Sequence, residues 1–311
     1  MKRIFLFVLS LALLSVIGFQ PSTAFAQGNL TPPGAPAPTM RTLDQISQQI
    51  TNVNQQVTNV VNLLTNQISN QIVSVEKRYP IFTFQTNLTV SGSYYLTTNL
   101  VSGTNTFDAI LVHSNASNVT IDLNGFSLIC TIGPSGTSSP AGVRVIGATN
   151  IVIRNGQITG FDRGVRAEEE FCAVVCEDLH VHGCRRAGIE ANGTLGSGLR
   201  TITVRHCVIE KMDSTGEATD ASADGVTLLS CAAVVENCVI RDIVAAGTAV
   251  AMCIDAISPT NTFIDNNFLS NADIGLKSTG SGTRVYYRNN LTSGITTPFS
   301  ATGGVDRGGN F

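Results

Sequence analysis

The chain has 311 residues, of which 43% are hydrophobic, so it can bury a substantial core and is not intrinsically disordered. Its formal net charge is −3 and only 13% of its residues are charged, which argues against a nucleic-acid partner. With 29 glycines and 6% aromatic residues, the composition favours a turn-rich β protein over an α/β enzyme with large helices.

The first 26 residues have the features of a secretory signal peptide. Lys2 and Arg3 precede an apolar run at residues 4–17, and the small residues Ala24 and Ala26 follow. The apolar run is shorter than the roughly 20 residues that a membrane-spanning helix needs, so we expect cleavage after Ala26 and no transmembrane anchor afterwards. The predicted location is secreted, extracellular or at the cell surface, with the periplasm as an alternative.

Residues 27–40 are rich in Pro and Gly and predict an extended linker, and residues 41–78 predict an amphipathic helix. Its apolar residues recur at alternating spacings of three and four, which is typical of a coiled-coil seam. The seam residues are Leu43, Ile46, Ile50, Val53, Val57, Val60 and Leu64. The apolar pattern then shifts by four residues and continues at Ile68, Ile72 and Val75.

Two interpretations of this helix remain open. Residues 45–75 contain no charged side chain, so ion pairs between helices cannot select a partner. One interpretation is a stalk that forms a homo-oligomer, for example a trimer, through residues 43–75. The other is an amphipathic helix that covers the open end of the domain that follows.

From residue 79 to residue 311 the periodicity becomes alternating, and the sequence repeats at intervals of 23 to 31 residues. Each repeat has one turn residue, and these residues are Asn124, Asn155, Asp178, His206, Asn237, Asn266 and Asn289. An apolar residue follows three positions after most of them, namely Ile158, Val181, Ile209, Ile240 and Leu269. Before the turn residue stands a Gly-apolar pair, such as Gly188-Ile189, and Cys253-Ile254 takes this place in one repeat.

This pattern predicts three short strands in each repeat. The first begins at the Gly, the second ends at the turn residue, and the third follows a tight turn that suits a left-handed backbone conformation. A unit this small cannot bury its own apolar face, so successive repeats must stack, with equivalent strands pairing in parallel about 4.8 Å apart. The predicted fold class is therefore an all-β solenoid preceded by a helical segment.

Several stretches carry a family resemblance. The repeats are similar to those of right-handed parallel β-helix proteins of the pectate-lyase-like superfamily, including the NosD-like repeat group. The segments LTPPGAPAPTMRTLDQI, GSYYLTTNL, VTIDLNGFSL and IVIRNGQITGF resemble the start of a group of exported bacterial β-helix repeat proteins. The resemblance implies a right-handed parallel β-helix and no single chemistry, because the superfamily contains lyases, hydrolases, epimerases and adhesins. The helical segment from about residue 47 to residue 77 departs from that group.

In the enzymes that the chain resembles, a polysaccharide lies along the outward face of the first sheet. The resemblance therefore implies that a substrate of this chain would lie on the same face. Strand alternation places one outward column there, composed of Arg144, Arg166, Glu190, Thr227, Asp255 and Lys277. Glu190 and Asp255 are catalytic candidates about 10 Å apart, and the other four are substrate-binding candidates. The alternative is a solvated face on which opposite charges of adjacent coils support stacking.

Other polar residues give weaker signals. Asp213, Asp220 and Asp224 lie in or beside the long turn before the fourth Gly-apolar pair, where carboxylates can hold calcium, although they have no fixed ligand spacing. Residues 168–170, all glutamates, are expected in a solvated loop.

Eight cysteines in an exported chain raise the question of disulfides, and the sequence leaves their pairing open. Cys172 and Cys176 lack the spacing typical of a zinc site. His180 and His182 are expected to point outward from a third-sheet strand, and His206 is expected to replace Asn in the turn column.

Three functions follow from these features. The first is a structural or adhesive protein that binds carbohydrate or a cell-surface glycan without a firm catalytic signature. The second is a polysaccharide lyase or glycoside hydrolase that acts on the outward face of the first sheet. The third is a copper-handling accessory protein, which is suggested by the NosD-like resemblance and by the His and Cys content.

Overall fold

A computed structural model describes residues 41–74, 77–104, 106–133, 139–169, 171–192, 200–216, 221–280 and 284–311. The predicted signal peptide and linker lie outside these residues. The chain divides into a helical unit that ends at Ser74 and a strand-rich unit that begins at Val75. No helix in the described part of the chain combines the length and hydropathy needed to cross a bilayer.

The helical unit consists of helix α1, Leu43–Ser74. The backbone N–H of Gln45 donates to Thr42 Oγ1 over 3.3 Å, and the Thr42 N–H donates to Gln45 Oε1 over 3.0 Å, so the helix begins with a capping box. Helix α1 lies within the segment predicted to be helical, residues 41–78. All seven seam residues are exposed, with side chains between 43% and 86% accessible.

The strand-rich unit is a solenoid of three parallel sheets. In the described residues, the first sheet contains β2 (Thr86–Leu88), β5 (Ile110–Val112), β8 (Ala141–Ile146), β10 (Arg163–Glu168), β12 (Ala187–Asn192), β15 (Ala223–Leu229), β18 (Ala251–Ile257) and the second halves of β20 (Phe268–Thr279) and β22 (Leu291–Ala301). These strands pair in order along the solenoid axis.

The second sheet contains β1 (Arg78–Ile81), β3 (Gly92–Leu96), β6 (Val119–Asp122), the first halves of β9 (Ile151–Thr159) and β11 (Ala173–His182), and β13 (Thr201–Arg205), β16 (Ala232–Glu236), β19 (Thr262–Asp265), β21 (Val285–Arg288) and β23 (Gly304–Asp306). The third sheet contains β4 (Leu100–Ser102), β7 (Ser127–Cys130), the second halves of β9 and β11, β14 (Val208–Glu210), β17 (Val239–Arg241) and the first halves of β20 and β22. The predicted three-strand coil and its parallel stacking are confirmed.

The tight turn between the second and third sheets behaves as predicted. All seven turn residues have φ between 53° and 59°, including Asp178 and His206 where other coils have Asn. Asn and Asp tolerate this left-handed conformation better than most residues. The first coil, which turns at residues 97–99, has no left-handed residue there. This absence explains why the first predicted turn residue is Asn124, one coil after the turn at residues 97–99.

The Gly-apolar pairs mark where the first and third sheets approach closely. A Cβ atom built on Gly188 would clash with the Ile209 side chain and lie 2.7 Å from the Gly225 carbonyl oxygen. Gly142, Gly164 and Gly225 meet the inward residue of the third sheet in the same way. In each of these repeats, therefore, the Gly of the first sheet packs directly against the β-branched residue of the third sheet.

We expect Gly188→Ala to destabilise the solenoid by about 1–3 kcal/mol, because the added methyl overpacks this contact. Gly103→Ala is the control, since a Cβ there would meet nothing within 4 Å. Urea unfolding followed by circular dichroism measures both variants. Equal midpoints for the two would contradict the packing argument.

The interior is apolar for most of its length and becomes partly polar near the C-terminus. The position after the turn residue is occupied by Cys207 and Cys238 in two coils, then by Asn267 and Asn290, which lie inside the solenoid. Asn267 Nδ2 donates to Asn290 Oδ1 over 3.0 Å, and the Cys238 N–H donates to Asn267 Oδ1 over 3.0 Å. The buried amides therefore satisfy one another from coil to coil.

Candidate functional site

The predicted outward column of the first sheet is present in register. Its members, Arg144, Arg166, Glu190, Thr227, Asp255 and Lys277, are direct partners on six successive coils. Because each residue pairs with the next one on the adjacent strand, the six side chains lie on one face of the first sheet. The sequence therefore predicted the correct neighbours, although it could not predict how the side chains pair.

The basic end of this column is held in ion pairs. Arg144 donates twice to Glu168 Oε2, over 2.8 and 2.5 Å, and lies 3.6 Å from Asp108 Oδ2. Arg166 contacts Glu168 as well and lies 3.4 Å from Glu190 Oε1. Glu168 is the last residue of β10, so its predicted place in a solvated loop is wrong. Arg144 and Arg166 thus connect neighbouring coils.

Glu190 is buried, with 5% of its surface exposed, and its carboxylate is fixed from several sides. Arg163 Nε donates to Oε2, and Asn192 Nδ2 donates to Oε1 over 2.9 Å. Arg163 is in turn bound by Asp162, which is fully buried and also accepts a hydrogen bond from Arg185 Nε over 2.6 Å. This network sets the position of Glu190 on the face.

Asp224 and Asp255 are also buried, with 6% and 5% of their surfaces exposed, but they have fewer partners. Thr227 Oγ1 donates to Asp224 Oδ2 over 2.8 Å. The Oδ1 atoms of Asp224 and Asp255 have no hydrogen-bond partner in the described residues. A buried carboxyl oxygen without a partner is costly, and such sites are concentrated where function requires them.

Burial has a large effect on the protonation of these two groups. It raises the pKa of Asp224 to about 7, and the neighbouring charges of Asp255 and Glu190 add to the rise. Burial also raises the pKa of Asp255, against the opposing charge of Lys277. Asp224 therefore exchanges its proton near neutral pH, as a general acid or base must.

These groups surround a cleft of about 190 Å³ on the first sheet. We call it the carboxylate cleft; its polar lining consists of Arg163, Arg186, Glu190, Asn192, Ser222, Asp224, Thr227 and Asp255. The predicted catalytic candidates Glu190 and Asp255 and the predicted binding residue Thr227 all line it. Arg144, Arg166 and Lys277 are not among its lining residues.

Comparisons with known proteins identify the fold. A family model described as a right handed beta helix region matches residues 138–292. The chain is a right-handed parallel β-helix repeat protein. No curated protein matches the sequence.

Solved structures are also similar to this chain, three of them with the following identities, coverages and TM-scores. The enzymatically active domain of tailspike protein 2 from bacteriophage CBA120 matches with a TM-score of 0.54 and 14% identity, over 76% of this chain and 38% of the tailspike chain. The Dettilon tailspike protein matches with a TM-score of 0.33 and 16% identity, over 75% and 59% of the two chains. The catalytic domain of a GH87 α-1,3-glucanase in complex with nigerose matches with a TM-score of 0.23 and 12% identity, over 76% and 64%. The β-helix protein thus spans well under half of the first tailspike chain.

Two of the three aspartates predicted for calcium, Asp213 and Asp224, have different surroundings in this β-helix. Asp213 accepts hydrogen bonds from the Thr215 N–H and hydroxyl over 2.8 and 2.6 Å, whereas Asp224 lies in the carboxylate cleft. Asp220 lies outside the described residues. Across the ranges that the structure describes, no three His, Cys, Asp or Glu side chains are arranged to hold a metal ion.

The histidines and cysteines of the β-helix lie away from the cleft. His180 and His182 are on the third sheet, where His180 Nε2 lies 3.1 Å from Glu210 Oε1 and His182 Nδ1 lies 3.3 Å from Thr159 Oγ1. Burial lowers the pKa of His182, and the nearby His180 lowers it further. All eight cysteines are free and buried. Burial raises the pKa of Cys184 and Cys231 to about 12, so these thiols are unreactive packing groups.

Sequence reasoning missed Asp162, Arg163 and Asn192, and it assigned Asp224 to a different role. Arg163 and Asp224 each stand directly before the Gly of a Gly-apolar pair. The residue at that position also reaches the carboxylate cleft, as Arg163, Ala187 and Asp224 do. A polar residue immediately before the Gly was therefore the available signal.

Proposed function

We propose that this β-helix protein binds a polysaccharide across the carboxylate cleft and hydrolyses it. The observation that carries the proposal is a buried aspartate, Asp224, with a pKa of about 7 beside a second buried aspartate, Asp255. Glycoside hydrolysis requires one carboxylic acid that donates a proton and one carboxylate that acts on water or on the sugar. The cleft supplies both on neighbouring coils.

The roles follow from protonation. Asp224 retains its proton up to neutral pH and donates it to the glycosidic oxygen as the bond from that oxygen to the anomeric carbon breaks. Asp255 takes a proton from the water whose oxygen forms the new bond to the anomeric carbon. Glu190 is a positioning residue, because its negative charge helps to keep the proton on Asp224. Thr227 orients Asp224 through its hydrogen bond.

Charge favours hydrolysis over elimination from a uronate. Elimination requires a cation that neutralises the carboxylate of the substrate, but Arg144 and Arg166 are already paired with Glu168. Three carboxyl groups and two guanidinium groups line the cleft, so it has no excess of positive charge that would attract a polyanionic chain. A neutral polysaccharide fits the cleft better.

The test is release of reducing ends from a panel of polysaccharides between pH 4 and pH 9. The panel contains neutral α- and β-glucans, mannan, xylan, pectate, alginate and sulfated glycans, each with calcium and with a chelator. We expect release from a neutral glycan without calcium. Release of unsaturated uronate products would instead support a lyase, and binding without any release would support the adhesive function.

We further propose that α1 forms a homo-oligomeric stalk. The support is the exposure of all seven seam residues on a helix whose residues 45–74 carry no charge. Exposed apolar rows of this length usually become covered in association. The seam has β-branched residues at both of its alternating positions, as Ile50, Val53, Val57 and Val60 show, which favours three or more helices over two. The predicted signal peptide supports export to the extracellular space or cell surface.

A further inference from the structure

A second groove lies on the outward face of the second sheet, near its C-terminal end. Its volume is about 640 Å³, larger than that of the carboxylate cleft. Two side-by-side columns form it. One column is apolar, with Val234, Phe263 and Tyr286 in register, and the other is charged, with Glu236, Asp265 and Arg288 in register.

The apolar column presents an aromatic ring that is only partly covered. Phe263 stacks on Tyr286 with ring centroids 5.2 Å apart and planes inclined by 21°, and the Arg307 guanidinium lies 4.8 Å from the Tyr286 centroid. On the other side of Phe263 the neighbouring coil has only Val234, whose side chain is smaller than a phenyl ring. Phe263 is 50% exposed, although a phenylalanine is usually buried. The stack therefore ends in an open aromatic surface above Val234.

The charged column adds hydrogen-bonding groups along the edge of this surface. Asp265 Oδ2 accepts two hydrogen bonds from Arg288, over 2.9 and 2.7 Å, so both side chains are held in place. Glu236 precedes Asp265 on the adjacent coil and lies in the same column, beside Val234. The groove thus contains two carboxylates and two guanidinium groups, with no excess of either charge.

We propose that this groove binds a neutral saccharide, with the apolar face of a sugar ring stacked on Phe263 above Val234. Glu236 and Asp265 accept hydrogen bonds from the sugar hydroxyls. Ligand sites of this kind combine apolar and aromatic surface with a few placed polar groups. The balanced charge gives no attraction for uronates or sulfates, and Glu and Asp, which supply two of the four charges, are depleted in the cores of protein interfaces. The site is on a different sheet from the carboxylate cleft and would hold glycan without cleaving it.

The experiment is affinity electrophoresis in native gels that contain neutral α- or β-glucans, mannan or xylan, performed on the chain without its predicted signal peptide. We expect at least one neutral polysaccharide to retard the wild type, and Phe263→Ala to weaken that retardation at least tenfold. Phe82→Ala is the matched control, because Phe82 is 67% exposed beside the first strand, far along the solenoid. Glu236→Gln, which preserves shape, should weaken binding without lowering the melting temperature.

The outcomes separate this proposal from the proposed hydrolase. Retardation that persists in Asp224→Asn and is lost in Phe263→Ala supports the groove, whatever the enzyme assay shows. Retardation unchanged by Phe263→Ala and Glu236→Gln, or no retardation of the wild type by any neutral polysaccharide, overturns it. A change in sedimentation of Phe263→Ala with unchanged glycan binding would show that the groove is a protein interface instead.

Discussion

Asp224→Asn should lower polysaccharide hydrolysis by about 10²–10⁴-fold, because the amide cannot donate a proton to the glycosidic oxygen. The substitution preserves the shape of the side chain, and Thr227 can still donate to the amide oxygen. The Michaelis constant should change little, since Asp224 contributes chiefly to the transition state. Initial rates of reducing-end release at pH 6 measure the effect.

Asp178→Asn is the matched control for this variant. It makes the same chemical change at an exposed turn residue, in a position that other coils fill with Asn. Its activity should equal that of the wild type. If Asp224→Asn retained wild-type turnover while the control behaved normally, Asp224 would have no part in the chemistry and the hydrolase proposal would fail.

The pH dependence provides an independent check on Asp224. Hydrolysis needs the protonated form, so activity should fall as pH rises through about 7. Glu190→Gln removes a negative charge that helps to raise the pKa of Asp224, so this limb should move to lower pH. A pH–rate profile with the same alkaline limb in both proteins would contradict the proposed coupling.

Stability should respond to the same group with a predictable sign. Asp224 has a higher pKa in the folded chain, about 7, than the value near 4 expected when unfolded. Between these values the folded chain binds more protons, so its free energy of unfolding decreases as pH rises. Asp224→Asn should therefore be more stable than the wild type at pH 8 and should show a flatter pH dependence. Urea titrations at pH 4.5 and pH 8 test this.

The difference between what the sequence predicted and what it missed has a physical origin. A β-helix has one strand spacing and a side-chain period of two, so a single turn residue such as Asn237 fixes the register of a whole coil. The neighbours of Glu190 and Asp255 followed directly from that register. The ion pairs did not, because long side chains such as Arg144 and Arg163 can reach several carboxylates on adjacent coils. The burial of Asp224, which determines its pKa, depends on which carboxylates these arginines contact.

The same reasoning explains why the sequence did not predict the groove on the second sheet. Phe263 and Tyr286 occupy ordinary outward positions on the second sheet, and nothing in either local sequence distinguishes them. Their significance arises only when consecutive coils are stacked and a small residue, Val234, precedes them. In a repeat fold, surface sites are built across coils, so they appear as columns in the structure and as scattered residues in the sequence.

Replacing four seam residues of α1 with glutamine should convert an oligomer into a monomer. The substitutions are Ile50→Gln, Val53→Gln, Val57→Gln and Val60→Gln, and glutamine preserves helix propensity. Burial of one such side chain contributes about 1.5–3 kcal/mol, so the four changes remove at least about 6 kcal/mol per chain. Association should weaken by at least about 10⁴-fold. Sedimentation velocity on the chain without its predicted signal peptide gives the mass.

The control for this prediction changes the opposite face of the same helix. Asn52→Gln, Asn59→Gln and Asn62→Gln add the same side chain at exposed positions outside the seam, so the oligomer should persist. Glycan cleavage by the seam variant should be unchanged, because the carboxylate cleft is formed within the strand-rich unit. A wild-type protein that sediments as a monomer at tens of micromolar would exclude the stalk. A seam variant with unchanged mass would show that association, where present, arises from another surface.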